Sequence, residues 1–380
     1  QDAVREMTVE LDNLRAAWEW GVRHEKFESL GKAVRAFGWY YEVAGLIHEG
    51  IEQLESLVRV LREKPRANHT DKILGACLTH QGLLCFRSGD FARATELYPE
   101  AITLLRAVND RALLADALIF YGTIHHLSGA YHESKKLIEE GLVYARETND
   151  IWFAAYGVYN IGHVDSILGD YEKGYEQMQA GLKLWRELGD PHSISLGLNF
   201  CVQTQIALGR ADEAIAAMRE SIALCERTQN RWGMATAYRY LGLATLAAGQ
   251  CNEAKRHLEK SLETFGEYFK GWDIAQTLIY LGETYLHLGD DAHAKTILLD
   301  SLRLARDIHS KPLMLESLAG LAALELRLNP DLAAGWLTLI LSHPSATQAT
   351  KQRVEKLPAN RERVPADAPS LNDVAAEILE

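Results

Sequence analysis

The sequence predicts an all-α chain, a solenoid of about eight stacked helix pairs, and two observations carry that expectation. Glycine returns every 40 residues, at Gly82, Gly122, Gly162, Gly242 and Gly282, while Val202 fills the one gap and Ala322 continues the register. Each of these positions is followed seven residues later by a second mark, at Gly89, Gly129, Gly169, Gly209, Gly249, Gly289 and then Asn329. A fixed period of this length marks one supersecondary unit copied along an array, each copy packing on its neighbours.

Taken in order, the elements follow from local chemistry. Up to each second mark the apolar residues recur at helical spacing, as in Leu78, Gln81, Gly82 and Cys85, or Leu278, Leu281, Gly282 and Tyr285, which predicts a first helix. The second mark suits its C-terminus, because glycine adopts the left-handed conformation that ends helices without a Cβ penalty. A second helix follows at once. Its small residue, at Ala94, Ser134, Gly174, Ala214, Ala254, Ala294 or Ala334, permits close approach, and Ile102, Leu142, Leu182, Ile222, Leu262 and Leu302 recur on it. It stops near Asn109-Asp110, Asn149-Asp150, Gly189-Asp190 or Gln229-Asn230, where Asp or Asn can cap the next helix and Pro191 and Pro312 fit a first turn.

An earlier, atypical unit places Gly38, Gly45 and Gly50 in the same mutual relation. The 44-residue interval from Gly38 to Gly82 puts a turn-rich joint at 64–71. The expected organisation is an arm helix over 1–30, the atypical repeat and joint over 31–71, regular repeats over 72–341, and a capping tail over 342–380. Leu11, Leu14 and Trp18 share one face of the arm helix and are its expected docking residues.

Composition bounds the function. Residues are 47% hydrophobic with only nine prolines, as a long helical array requires. The net charge of −12 argues against nucleic acid or an anionic membrane as partner, and the diluted basic segment Lys351, Arg353, Lys356, Arg361 and Arg363 reads as a solvated tail. No apolar run is long enough to span a bilayer and the first residues do not form a signal peptide, so a cytoplasmic location is expected. The five cysteines, Cys77, Cys85, Cys201, Cys225 and Cys251, lack C-x-x-C spacing and are expected as buried thiols.

No catalytic constellation, cofactor motif or metal-ligand spacing emerges. G-x-x-x-x-G-K-[ST] and H-E-x-x-H are both absent, and His125 and His126 point about 100° apart on a helix, with His132 beyond a turn. Carboxylates are expected mostly on exposed helix faces. The chain is expected to be no enzyme.

The repeat marks resemble the tetratricopeptide repeat, although that unit is about 34 residues long and these helices must be longer. In such arrays the first helix of each unit lines the concave surface. Carried over by position, the resemblance points three residues before each mark and one and four after it, with Asp116, Tyr156 and Gln276 one turn earlier. The candidate ligand contacts are therefore Thr79, Phe86, Asp116, His126, Tyr156, Tyr159, His163, Asn199, Gln203, Arg239, Gln276 and Glu283. They are densest around Gly122, Gly162 and Val202, with Arg239 available to an anionic group.

The segment Glu10-Leu11-Asp12-Asn13-Leu14-Arg15-Ala16-Ala17-Trp18-Glu19-Trp20 is similar to the one that leads into the repeats of bacterial STAND proteins, the signal-transduction ATPases with numerous domains. Gly38-Trp39-Tyr40-Tyr41 resembles that family's first repeat, and Leu341-Ser342-His343-Pro344 with Leu371 to Leu379 its closing element. The resemblance implies a sensor that binds a small-molecule, peptide or protein inducer and so releases an attached ATPase module, which these residues do not include. The alternative is a stand-alone scaffold for peptides or proteins.

Overall fold

A computed structural model describes residues 2–266, 271–358 and 370–379, and every regular element among them is helical. In chain order these are α1 (Asp2–Val9), α2 (Leu11–Arg23), α3 (Phe27–Val43), α4 (Ile47–Arg62), α5 (Asn68–Ser88), α6 (Phe91–Ala107), α7 (Arg111–Ser128), α8 (Tyr131–Glu147), α9 (Ile151–Leu168) and α10 (Tyr171–Leu188). There follow α11 (Pro191–Ala207), α12 (Ala211–Thr228), α13 (Arg231–Ala247), α14 (Cys251–Phe265), α15 (Trp272–Leu288), α16 (Asp291–Asp307), α17 (Lys311–Glu325), α18 (Pro330–Ser342), α19 (Gln348–Glu355) and α20 (Leu371–Leu379). The 40-residue period is the helix pair from α5–α6 onward, and the architecture is a tetratricopeptide-like α-solenoid. No described helix is long and apolar enough to cross a membrane.

The punctuation follows the local signals. Gly89, Gly129, Gly169, Gly209, Gly249 and Gly289 all have positive φ, between 74° and 106°, and so do Gly45, Asn109, Asn149, Gln229 and Gly189. Asp90, Asp110, Asp150, Asp190, Asn230 and Asp290 then cap the following helices by accepting backbone N–H bonds. Two left-handed residues, Glu25 and His309, carry no sequence signal for that conformation. Asn329 corrects the expected pattern: its φ is −139°, and instead of closing α17 it caps α18 by accepting from the Leu332 N–H.

The first glycine of each pair provides room for the second helix. A Cβ at Gly82, Gly122, Gly242 or Gly282 would stand 2.5–2.7 Å from Tyr98, Ile138, Leu258 or Leu298, the residue sixteen positions later. At Gly162 the neighbour is backbone rather than a side chain, with the Gly174 carbonyl oxygen 2.5 Å from the position a Cβ would take. Gly38 differs, since it faces His80 on α5 rather than its own partner α4. A second periodic tie appears in Ser221, Ser261 and Ser301, which donate to the carbonyls of Ser195, Ala235 and Ala275 on the preceding first helix.

The helices form two compact units, unit 1 comprising Gln1–Ile124 and Glu133–Gly157, and unit 2 comprising His125–His132 and Val158–Glu380. In unit 1, residues 2–30 hold α1, α2 and the start of α3 rather than one helix. Trp18 stacks on Phe37 at 3.8 Å and donates its indole N–H to the Gln53 carbonyl at 3.1 Å. Leu11 and Leu14 are half-buried, and Arg15 pairs with Glu49 at 2.5 Å, so α2 lies on the first helix pair, α3 and α4. Arg35 of α3 reaches both Asp116 of α7, at 2.9 Å, and Asp150 at the start of α9, at 2.6 Å.

In unit 2 the first helices touch one another in series, α11 with α13, α13 with α15 and α15 with α17, whereas the second helices make no comparable contact with each other. The first helices therefore line the inside of its curve. Beyond α18 the chain turns back through 343–356, and α20 packs on α16 and α17. Arg361 and Arg363 of the expected basic tail lie outside the described residues.

Candidate functional site

The 40-residue register places side chains by row, and the rows have different fates. The row three before each mark was expected on the concave surface but is shut inside: Thr79, Ile119, Asn199, Arg239 and Ile279 are 0% exposed and Tyr159 is 3% exposed. Three of them, Tyr159, Asn199 and Arg239, reach the next first helix. Tyr159 donates to the Gly197 carbonyl at 2.6 Å and packs beside Trp185. Asn199 donates to the Gly233 carbonyl at 3.2 Å and accepts from Ser221 at 2.6 Å. Arg239 donates to the Asp273 carboxylate at 2.7 Å among the rings of Tyr240, Phe265 and Trp272. Burial works against the charge of that guanidinium, but Asp273 together with Tyr240 and Tyr280 more than offsets it and its pKa rises. The row is an inter-repeat ladder, so Tyr159 and Arg239 are not open ligand contacts.

Unit 1 holds four of the candidates. Thr79 spends its hydroxyl on the Gly75 carbonyl at 2.8 Å, and half-exposed Phe86 packs edge-on against Phe91 under Arg87. Asp116 is fully buried against Arg35; burial raises its pKa well above the usual carboxylate range despite that cation. Tyr156 stacks on Trp152, in a cluster with Trp39, Phe120 and Phe153.

Unit 2 brings the others together. His126 and His163 meet with ring centroids 4.6 Å apart, and burial pushes the pKa of His126 down to about 4 and that of His163 well below its usual value. His163 leads to Phe200, Phe200 to Tyr240 and Tyr240 to Tyr280, each ring within 6.4 Å of the next. Gln203 donates to the Tyr280 hydroxyl at 2.6 Å, and Gln276 accepts from Tyr240 at 3.4 Å. Gln203 and Tyr280 belong to α11 and α15, two repeats apart, so they meet across the inside of the curve. The aromatic row two before each mark, Phe120, Phe200, Tyr240 and Tyr280, was not among the sequence candidates. Its signal was the same 40-residue recurrence, read one residue too early.

Glu283 ends this strip and pairs with Arg353 of α19. Arg353 also donates to the Glu316 carbonyl at 3.2 Å, so it is no solvated tail residue. Burial raises the Glu316 carboxyl to about pKa 7, with Thr350 opposing the shift. Buried Asp116 and Asp165 likewise depart from the expectation of exposed carboxylates. Cys77, Cys85, Cys201 and Cys225 are buried, but Cys251, the first residue of α14, is half-exposed, because an N-terminal helix position packs on one side only.

Comparison with known proteins agrees on the fold. Residues 202–267 match the tetratricopeptide repeat family model, and residues 52–165 match that of anaphase-promoting complex subunit 5. No curated protein matches the sequence. Among solved structures, NprR in complex with its cognate peptide NprX aligns with a TM-score of 0.60 at 12% identity, covering 87% of this chain and 96% of that one. A Rap protein complexed with competence and sporulation factor aligns at 0.56 and 14% identity, covering 99% of both chains. A STAND protein with a tetratricopeptide repeat sensor from Pyrococcus horikoshii aligns at 0.46 and 14% identity, covering 80% of this chain and 48% of that one. Family model and solved structures place this chain among tetratricopeptide-type stacks of helix pairs.

Proposed function

We propose that this chain is the inducer-binding sensor region of a STAND-type regulator, with the inner face of unit 2 as its binding surface. The observation that carries the reading is the strip in which half-buried Phe200, Gln203 and Glu283 are backed by the buried rings of His126, His163, Tyr240 and Tyr280. It combines flat apolar rings with a few oriented polar groups, the composition that binds small polar ligands or extended peptides. NprR, of similar fold, binds its cognate peptide NprX in its complex, which supports a peptide as one form of inducer. The Leu-Asp-Asn-Leu-Arg-Ala-Ala segment supports the regulator rather than the free-standing scaffold. An inducer acts there by binding the released state better than the restrained one.

The coding sequence upstream of Gln1 tests the reading directly. A phosphate-binding G-x-x-x-x-G-K-[ST] motif in the same frame is expected. A complete frame without a nucleotide-binding module would leave the peptide scaffold. With an inducer in hand, Gln203→Ala should weaken its binding by calorimetry, and unchanged affinity would move the site off this face.

A further inference from the structure

We propose that residues 343–356 are an internal occupant of unit 2, and that Glu283, with the Glu316 carbonyl, is the recognition site for a guanidinium on a basic peptide that displaces them. The proposal rests on the inner-face reading above only for where the ligand sits.

The segment spans unit 2 through polar contacts at separate points. Tyr131 donates its hydroxyl to the Ser345 carbonyl at 3.0 Å, Tyr171 donates to the Gln352 side chain at 3.2 Å, and Arg353 engages Glu283 and Glu316 at the far end. The turn glycines of unit 2 report the same path. A Cβ at Gly129 would meet Ser345 at 2.5 Å and one at Gly169 would meet Gln348 at 3.1 Å, while Gly209, Gly249 and Gly289 have nothing within 4 Å.

Besides these, Thr350 hydrogen-bonds the Glu316 side chain, and little apolar surface holds the segment down. Its buried apolar side chains are Ala346 and Val354, a small anchor, and an eight-residue helix has no stability of its own. It is basic through Lys351, Arg353 and Lys356 in a chain of net charge −12. Glu283 stands one residue after its glycine mark, in the row of His163 and Gln203 that forms the binding strip. A guanidinium matches a carboxylate as a forked donor, and the carbonyl of Glu316 takes a further N–H. The chemistry that Arg353 satisfies is therefore the chemistry an incoming ligand must supply: a guanidinium on a basic peptide. The internal segment competes at an effective concentration of about millimolar, so weakening its tether raises the apparent affinity for that ligand.

The test uses the full chain and a fluorescently labelled synthetic peptide of residues 342–358 as probe, followed by anisotropy. The double variant Tyr131→Phe with Tyr171→Phe removes two tether hydrogen bonds without touching Glu283. It should bind the probe at least about 10-fold more tightly than wild type. Adding Glu283→Gln to that background should abolish the gain, and hydrogen exchange should show residues 343–356 released in both variants. Equal affinity across the three proteins, or a segment that stays as protected as in wild type, would overturn the proposal. Because the probe is independent of any ATPase module, this outcome is separate from that of the upstream-sequence test.

Discussion

The Tyr159 hydroxyl donates to the Gly197 carbonyl at 2.6 Å, binding one first helix to the next across 38 residues of sequence. Asn199 to Gly233 and Arg239 to Asp273 repeat the tie one and two units later. Side chains that looked like a ligand surface thus hold the array together, and their removal should be read in stability. Tyr159→Phe loses one buried hydrogen bond and should cost about 1 kcal/mol, whereas Tyr159→Ala also opens a cavity beside Trp185 and should cost about 3–5 kcal/mol. Denaturant midpoints give both numbers. A Tyr159→Ala variant with the wild-type midpoint would contradict the ladder.

Arg239 should behave in the same way. Its truncation to alanine takes the cation from the Asp273 carboxylate, which keeps the Trp232 indole N–H, and empties the space between three aromatic rings, a loss of about 3 kcal/mol, the low end of the usual cost of breaking a buried pair. Arg239→Met keeps the volume and should cost less. Equal losses in the two variants would show that packing contributes nothing there.

Gly162→Leu should be among the more damaging substitutions, since its Cβ would sit 2.5 Å from the Gly174 carbonyl, which is backbone and cannot swing aside. The expected loss is about 1–3 kcal/mol or more. Gly335→Ala, where nothing lies within 4 Å of the added Cβ, is the matched control. An unchanged midpoint in Gly162→Leu would mean that α9 and α10 part freely.

Acid should weaken unit 2 through its histidine pair. Both rings have folded pKa values depressed below the ordinary 6.5, so their contribution is present above that value and is lost as pH falls, for His126 through about 4. A shift of that size in His126 amounts to about 3 kcal/mol, with His163 adding in the same direction. The groups facing the pair are Tyr131 beside His126 and Phe200 beside His163, neither of which titrates in this window. Melting curves from pH 7 to 4 should show the loss, and His126→Gln should flatten it. An identical pH profile in the variant would place the sensitivity elsewhere.

The arm should be the less protected end of unit 1. Among the residues of α2 only Trp18 and Gly21 are buried, and Trp18 alone of these has a side chain to pack, so few contacts resist its opening. Hydrogen exchange over residues 2–24 should be faster than over α5 and α6, and Trp18→Ala should accelerate it further. Equal protection would make the arm a rigid part of the first repeat.

The sequence by itself determined the repeat unit, because its determinants are local or strictly periodic. The left-handed turn at Gly169, the Asp190 cap and the space left at Gly242 each depend on residues close in the chain or on the fixed offset to the second helix. Tertiary structure decided which rows face solvent, since that depends on how far each helix pair rotates on the next. Tyr159 and Phe200 sit only a residue apart in the register, yet one spends its hydroxyl on the next helix and the other joins the aromatic strip. It also decided the place of Arg353, whose partner Glu283 is 70 residues distant in a chain with many acidic alternatives. Periodicity fixes what repeats, whereas a contact made once, by a tail folding back on the array, leaves no period to read.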